Sequence, residues 1–169
     1  NAIPIYNINW ILSSKFYRDI LSDTKITLLD VGARDGSANE LKPLESFIKY
    51  IGFEADDDEV QRLKSLPSAY KETKYIASFI SEKQEDIKFN LHHIPGNSSI
   101  YNFSKTFTDW FFTKDTTHVK KVLSLKANSL DNLIDEDIDF IKLDTQGNEY
   151  EILKGATKCL SKTLMVDSE

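Results

Sequence analysis

Three stretches of this chain combine acids and glycines in patterns that could hold a small polar ligand. The first is Leu28 to Gly36, LLDVGARDG, in which a buried strand ends at Asp30, turns through Gly32 and reaches Gly36 just before a helix. In an open α/β sheet this is the edge where ligands bind, with glycines admitting close backbone approach. A pyrophosphate cradle would need G-x-G-x-x-G, whereas the glycines here are spaced G-x-x-x-G with Ala33 between them. An acid at Asp30 repels phosphate but suits a cationic or hydroxyl-bearing ligand. A purely structural strand turn is the competing reading. The second stretch places Glu54 at the end of the next strand, about 20 residues beyond the glycine turn, where a carboxylate can accept from two ribose hydroxyls. Its competing reading is a solvated acid in the run EADDDE. The third is Asp139 to Ala156, DFIKLDTQGNEYEILKGA, which brings Asp144 and Glu149 to the same sheet edge on either side of Gly147. Either acid could handle a proton or a substrate, and Glu149 could instead serve the helix N-terminus by its charge.

Other reactive residues read as structural. His92 and His93 are neighbours on a strand, so their side chains point to opposite faces and cannot chelate one metal together. His118 begins a strand. The aromatic run from Tyr101 to Phe112 fits core packing better than a lid, an acceptor pocket or a partner surface. Ser98 and Ser99 lie in a G-N-S-S turn that could face an acceptor, although turn chemistry accounts for them. No metal site is expected. Cys159 is the only cysteine, which excludes an intrachain disulfide and a thiolate zinc cage.

The elements that must position these residues follow from hydrophobic spacing. An amphipathic helix is expected from Ile8 to Leu21, within an N-terminal segment 1–24 packed on the side of a domain spanning 25–169. Strands are expected at KITLLDV (25–31), YIGFEAD (50–56), KYIASFI (74–80), HVKKVLSLK (118–126), DFIKLD (139–144) and the closing TLMVDSE. Nearly continuous apolar strands are typical of parallel sheets covered on both faces. Helices are expected at 37–46, limited by Pro43, after a cap at Asp57 or Asp58, at SLDNLI, and from 148 to 160. Ile87 to Ile94 alternates before PGNSS and IYNF, a hairpin signal inserted into an otherwise alternating strand and helix order.

The 169 residues suit one domain with a substantial core, and 40% hydrophobic with 28% charged residues is ordinary globular composition. A net charge of −6 argues against a general nucleic-acid backbone binder and favours small-molecule chemistry. No apolar run approaches the ~20 residues of a membrane span. No membrane partner is expected, and a cytoplasmic soluble protein is. Residue 1 is Asn and the only methionine is Met165, so a trimmed or processed start is expected.

LLDVGARDG, IGFEAD and SLDNLIDEDIDFIKLDTQGNEYEILKGA together resemble the FkbM family of S-adenosylmethionine-dependent methyltransferases, from Leu28 onward, with the block ending in LKGA the most specific part. The resemblance implies a Rossmann-like methyltransferase fold: α/β, with a mainly parallel sheet and helices on both faces. It further implies that Asp30, Gly32 and Gly36, with Ala33 and Arg34 in the same turn, line the methionine end of S-adenosylmethionine. Glu54, with Ala55 beside it, would bind the ribose, and Ala77 and Ser78 would lie near the adenine. Asp144 and Glu149 are the candidate catalytic acids, and the acceptor would be a hydroxyl of a small molecule or glycan. Arg34 stands where the glycine loop often has Asn, and Gln146 where the family often has Glu. A phosphate-free sulfonium cofactor also suits an acidic glycine turn. The rivals are a non-catalytic nucleoside-binding or interaction module of the same fold and an NAD-dependent oxidoreductase. Since the resemblance makes TLMVDSE the fifth strand in chain order, the sheet's final antiparallel hairpin is expected to be missing and the open edge to be covered by another chain, a swapped element or a crystal neighbour, self-association among them.

Overall fold

The computed structural model describes residues 12–35, 39–110 and 117–168. Its centre is a five-stranded parallel sheet of β1 (Ile26–Val31), β2 (Ile48–Glu54), β3 (Glu72–Ala77), β7 (Phe140–Leu143) and β8 (Met165–Ser168), in the order β3-β2-β1-β7-β8. The order reverses beside β1, so the carboxyl ends of β1, β2 and β7 frame the crevice expected at such a switch point. β1 and β2 are buried on both faces, as their continuous apolar runs require.

Because side chains alternate along a strand, the sheet separates two cores. Leu29, Val31, Ile51, Phe53, Ile141 and Leu143 face one side, packed against Leu130 of α4 (Leu130–Leu133), Ile152 of α5 (Glu149–Lys154) and Cys159 of α6 (Thr157–Leu160). Leu28, Ile48 and Tyr50 face the other, with Leu41, Leu44, Tyr70 and Tyr75 around them. Tyr50 stacks on Tyr70 at 4.5 Å between ring centroids. Asp30 and Lys142 project on this second side from directly adjacent register positions.

A second sheet of three strands, in the order β4-β6-β5, stands beyond the carboxyl edge: β4 (Phe79–Ile80), β5 (Glu85–His92) and β6 (Val119–Asn128). Phe79, Phe89 and Ala127 form its small core. The run expected as one strand, KYIASFI, is therefore two. Ser78 donates its N–H to Glu54 O as the last bond of the first sheet, and Ser81 donates to Asn128 O in the second, so the chain changes sheets at Ser78. The expected hairpin also finds a different partner. β5 pairs antiparallel with β6, while the local segment contributes only an Asn90–Ser99 bridge, beside which the Asn90 side-chain amide donates to Tyr101 O and Asn102 Oδ1.

Four helix expectations change. Residues 39–47 form 3₁₀ turns, since Pro43 lacks the N–H an α-helix needs there. The helix α2 (Asp57–Lys64) is capped by Asp56, whose carboxylate accepts from Asp58 N. The helix expected from 148 to 160 is broken at Gly155 into α5 and α6. Near the start, α1 (Lys15–Asp23) leaves Phe16 and Ile20 exposed, although these were expected to lie against the domain. Ile8, Ile11, Gly36 to Ala38, Phe111 and Phe112 lie outside the described residues. Among those described, no helix is long and apolar enough to cross a membrane.

Candidate functional site

A cavity of about 200 Å³ opens at the carboxyl ends of β1, β2 and β7, with Phe79, Phe89 and the Pro95–Ser98 turn of the second sheet as its far wall. The turn after β1 is stitched into neighbouring strands: Gly32 N donates to Phe53 O and Asp144 N donates to Val31 O, both at 3.0 Å. Gly32 has φ of 91°, and a Cβ there would collide with the carbonyl of Asp144. Only glycine can occupy this point, where β1 and β7 come together at the cavity.

Glu54 ends β2 and is 7% exposed. Its Oε1 accepts from Asp56 N at 3.0 Å, which fixes the carboxylate, while Oε2 lies 3.7 Å from Arg34 Nε. Burial raises its proton affinity; the backbone N–H groups of Asp56 and Ala55 and the Arg34 charge oppose that. Arg34 also reaches Asp56 at 3.2 Å and Glu59 at 3.4 Å, so its guanidinium serves three carboxylates. It is the basic residue of the cavity lining, and its charge is already matched.

Asp30, expected at the ligand, is fully buried in the sheet face instead. Its Oδ2 accepts from the Tyr50 hydroxyl at 2.7 Å, and its Oδ1 lies 3.2 Å from Lys142 Nζ. Burial pushes this carboxyl up to about 6, against the pull of Lys142 and Tyr50. The same Lys142 ammonium lies 3.7 Å from Asp144 Oδ2. Asp144 lines the cavity, and Gln146 Nε2 donates to its Oδ1 at 3.0 Å.

The Asp144–Gly147 turn is over-determined. Gln146 holds φ of 58°, uncommon for a residue with a side chain, and Gly147 has φ of 107°. Glu149 accepts from Thr145 N and Oγ1 with one oxygen and from Gly147 N, at 2.8 to 3.2 Å. Burial would raise the Glu149 proton affinity, but these donors outweigh it and leave the carboxyl below its ordinary value. From the second sheet, Ser99 Oγ donates to Gln146 O at 2.8 Å and the Tyr101 ring lies against Gly147.

Of the residues singled out from sequence, Gly32, Arg34, Glu54, Ala55, Ser78, Ser98 and Asp144 line one cavity. Asp30 and Ala33 lie in the core of the sheet face, Ala77 is exposed at the end of β3, and Glu149 sits beneath the turn. Gly36 is outside the described residues. His92 is buried edge-on to Phe103; burial lowers its proton affinity, with the Thr117 backbone opposing. His93 and His118, just after β5 and just before β6, form an exposed pair. The cavity walls Phe79 and Phe89 and the half-buried Lys142 are additions from the structure. Lys142 had a legible signal, since it stands two residues before Asp144 on the same strand and therefore shares its face.

The family model of the FkbM methyltransferase domain matches residues 30–166, from the acid of the glycine turn into the last strand. This chain belongs to the FkbM methyltransferase family. It is also similar to the crystal structure of an FkbM methyltransferase from Methylobacillus flagellatus, at 17% identity and a TM-score of 0.49, over 81% of this chain and 30% of that one. The chain thus spans less than a third of that protein's length. No curated protein matches it.

Proposed function

We propose that this FkbM-family chain binds S-adenosylmethionine in the cavity and transfers its methyl group to a hydroxyl oxygen of a small molecule or glycan. One observation carries the reading: two carboxylates, Glu54 and Asp144, line the cavity, while its basic residue Arg34 is held by three carboxylates. That donor set fits a ligand that is cationic, rich in hydroxyls and free of phosphate. When bound, S-adenosylmethionine supplies a methyl group on a sulfonium centre.

The chain's own residues then have distinct tasks. Glu54 accepts from the ribose hydroxyls through the oxygen not held by Asp56 N. Gly32 lets the backbone approach the ligand, and Phe79 and Phe89 exclude water from the wall, which favours an aligned displacement. Asp144 takes the proton of the acceptor hydroxyl, its side chain being about a third exposed at 32%. Glu149 shapes the turn, because both of its oxygens already accept from the turn's own donors. We also propose that the outer edge of β8, whose four residues are all exposed, pairs with a second copy of the chain.

Calorimetric titration with S-adenosylmethionine, S-adenosylhomocysteine and NAD tests the central reading. Both sulfur nucleosides are expected to bind and NAD is not. Tight NAD binding without S-adenosylhomocysteine binding would favour an oxidoreductase. Weak or absent binding of all three would favour the non-catalytic module.

A further inference from the structure

We infer that Lys142, shared between Asp30 and Asp144, sets how much negative charge Asp144 presents to the cavity, so that the site distinguishes the sulfonium form of the nucleoside from its neutral thioether form. The inference rests on the cofactor reading above and adds a discriminating device to it. Transfer of the methyl group to an acceptor oxygen, whose proton departs, leaves the C–S bonding pair on sulfur and removes one positive charge from the bound nucleoside. Negative charge presented to the cavity therefore favours the methylated form over the spent one, by an amount graded by how far that charge is neutralised.

Asp30, the acid that the glycine turn offers from sequence, cannot supply that charge, because it is fully buried and both of its oxygens are engaged by Tyr50 and Lys142. Asp144 can. It lines the cavity, its backbone carbonyl abuts Gly32, and its side chain is only partly covered. Its orientation is fixed by the 3.0 Å bond from Gln146 Nε2. Lys142 lies nearer to Asp30, at 3.2 Å, than to Asp144, at 3.7 Å, so Asp30 draws on the one ammonium and leaves Asp144 only partly neutralised. The three groups stand on one sheet face because Asp30 and Lys142 are register neighbours and Asp144 follows Lys142 by two residues. Lys142 and Asp30 act through Asp144 and are positioning residues.

The test is the ratio of S-adenosylhomocysteine to S-adenosylmethionine dissociation constants, measured by calorimetry on the unmodified chain and on D144N, K142M and D30N. Contacts to the transferred methyl largely cancel between variants, so changes in the ratio report charge. D144N is expected to lower the preference for the sulfonium form by roughly fivefold or more, and K142M to raise it by a similar factor, the scale of one unit charge acting across a partly solvated cavity. D30N frees Lys142 for Asp144 and is expected to lower the preference by a smaller factor. K142R keeps the charge and should leave the ratio unchanged. If K142M fails to fold, D30N decides the matter: a ratio moved by D144N but not by D30N overturns the role of Lys142. A ratio unmoved in D144N while both ligands bind overturns this inference alone, as does K142M shifting the ratio in the direction of D144N. Failure of both ligands to bind the unmodified chain overturns the cofactor reading together with it.

Discussion

In the five-stranded sheet, β1 and β2 bury almost every residue on both faces, whereas in the three-stranded sheet β6 turns half of its residues to solvent and fully buries only Ala127. The two regions meet at one cavity and contribute differently to it. The parallel sheet delivers charged groups in fixed positions: Glu54 at the end of β2, and Asp30 and Lys142 side by side within it. The second sheet delivers apolar wall and a turn, tied to the first by the Ser99 bond to Gln146 O. Charge precision thus comes from strands whose packing leaves no freedom, and a sheet with one wet face supplies the boundary that excludes water.

The largest expected effect contrasts the two sheets directly. Phe53→Ala, in the shared core of the parallel sheet, should cost about 3–5 kcal/mol, while Val122→Ala on the exposed face of β6 should stay within about 0.5 kcal/mol; urea denaturation of both variants measures the difference. The two glycines of the cavity sharpen the contrast. Gly32→Ala places a side chain at φ of 91° against the Asp144 carbonyl and should lose roughly 2–4 kcal/mol, whereas Gly96→Ala meets nothing within 4 Å and should be close to neutral by the same assay.

A pH measurement isolates the contribution of Asp30. Its folded carboxyl titrates at about 6 against an ordinary value of 3.8, so the stability it contributes is full below about 3.8 and is lost as the pH rises through 6. Glu54 shifts in the same sense, and Glu59 and Glu149, held below the ordinary range, act in the opposite one. The readout is therefore the difference between the unmodified chain and Asp30→Asn. Across this window the unmodified chain should lose about 2 kcal/mol more than the variant, and parallel slopes would show that Asp30 carries no such linkage.

Glu54→Ala should weaken S-adenosylhomocysteine binding by roughly 1.5–3 kcal/mol through lost charge-assisted hydrogen bonds; an unchanged dissociation constant would leave this acid only its partners Arg34 and Asp56 N. The smallest effect concerns the far edge of the sheet. Val166→Lys should leave stability within about 0.5 kcal/mol yet abolish self-association through β8, as read by light scattering against the unmodified chain. Monomeric behaviour of the unmodified chain would remove that proposal.

The sequence by itself determined the runs that supply the parallel sheet, the glycine turn after β1, and the placement of Glu54 and Asp144 at one edge. Continuous apolar runs, alternation and glycine spacing are local signals, and a parallel sheet converts them into position almost without choice. Tertiary structure alone decided four things. It broke KYIASFI at Ser78, because the second half bonds to β6 rather than to β2. It paired β5 with the distant β6 instead of its sequence neighbour. It drew Asp30 into the sheet face, where Tyr50 and Lys142 each hold one of its oxygens, and left Asp144 facing the cavity. It also occupied both oxygens of Glu149 with the Thr145–Gly147 turn. The common reason is that a residue's type states what it can bond, whereas which partner reaches it first is settled by strands brought together from far along the chain.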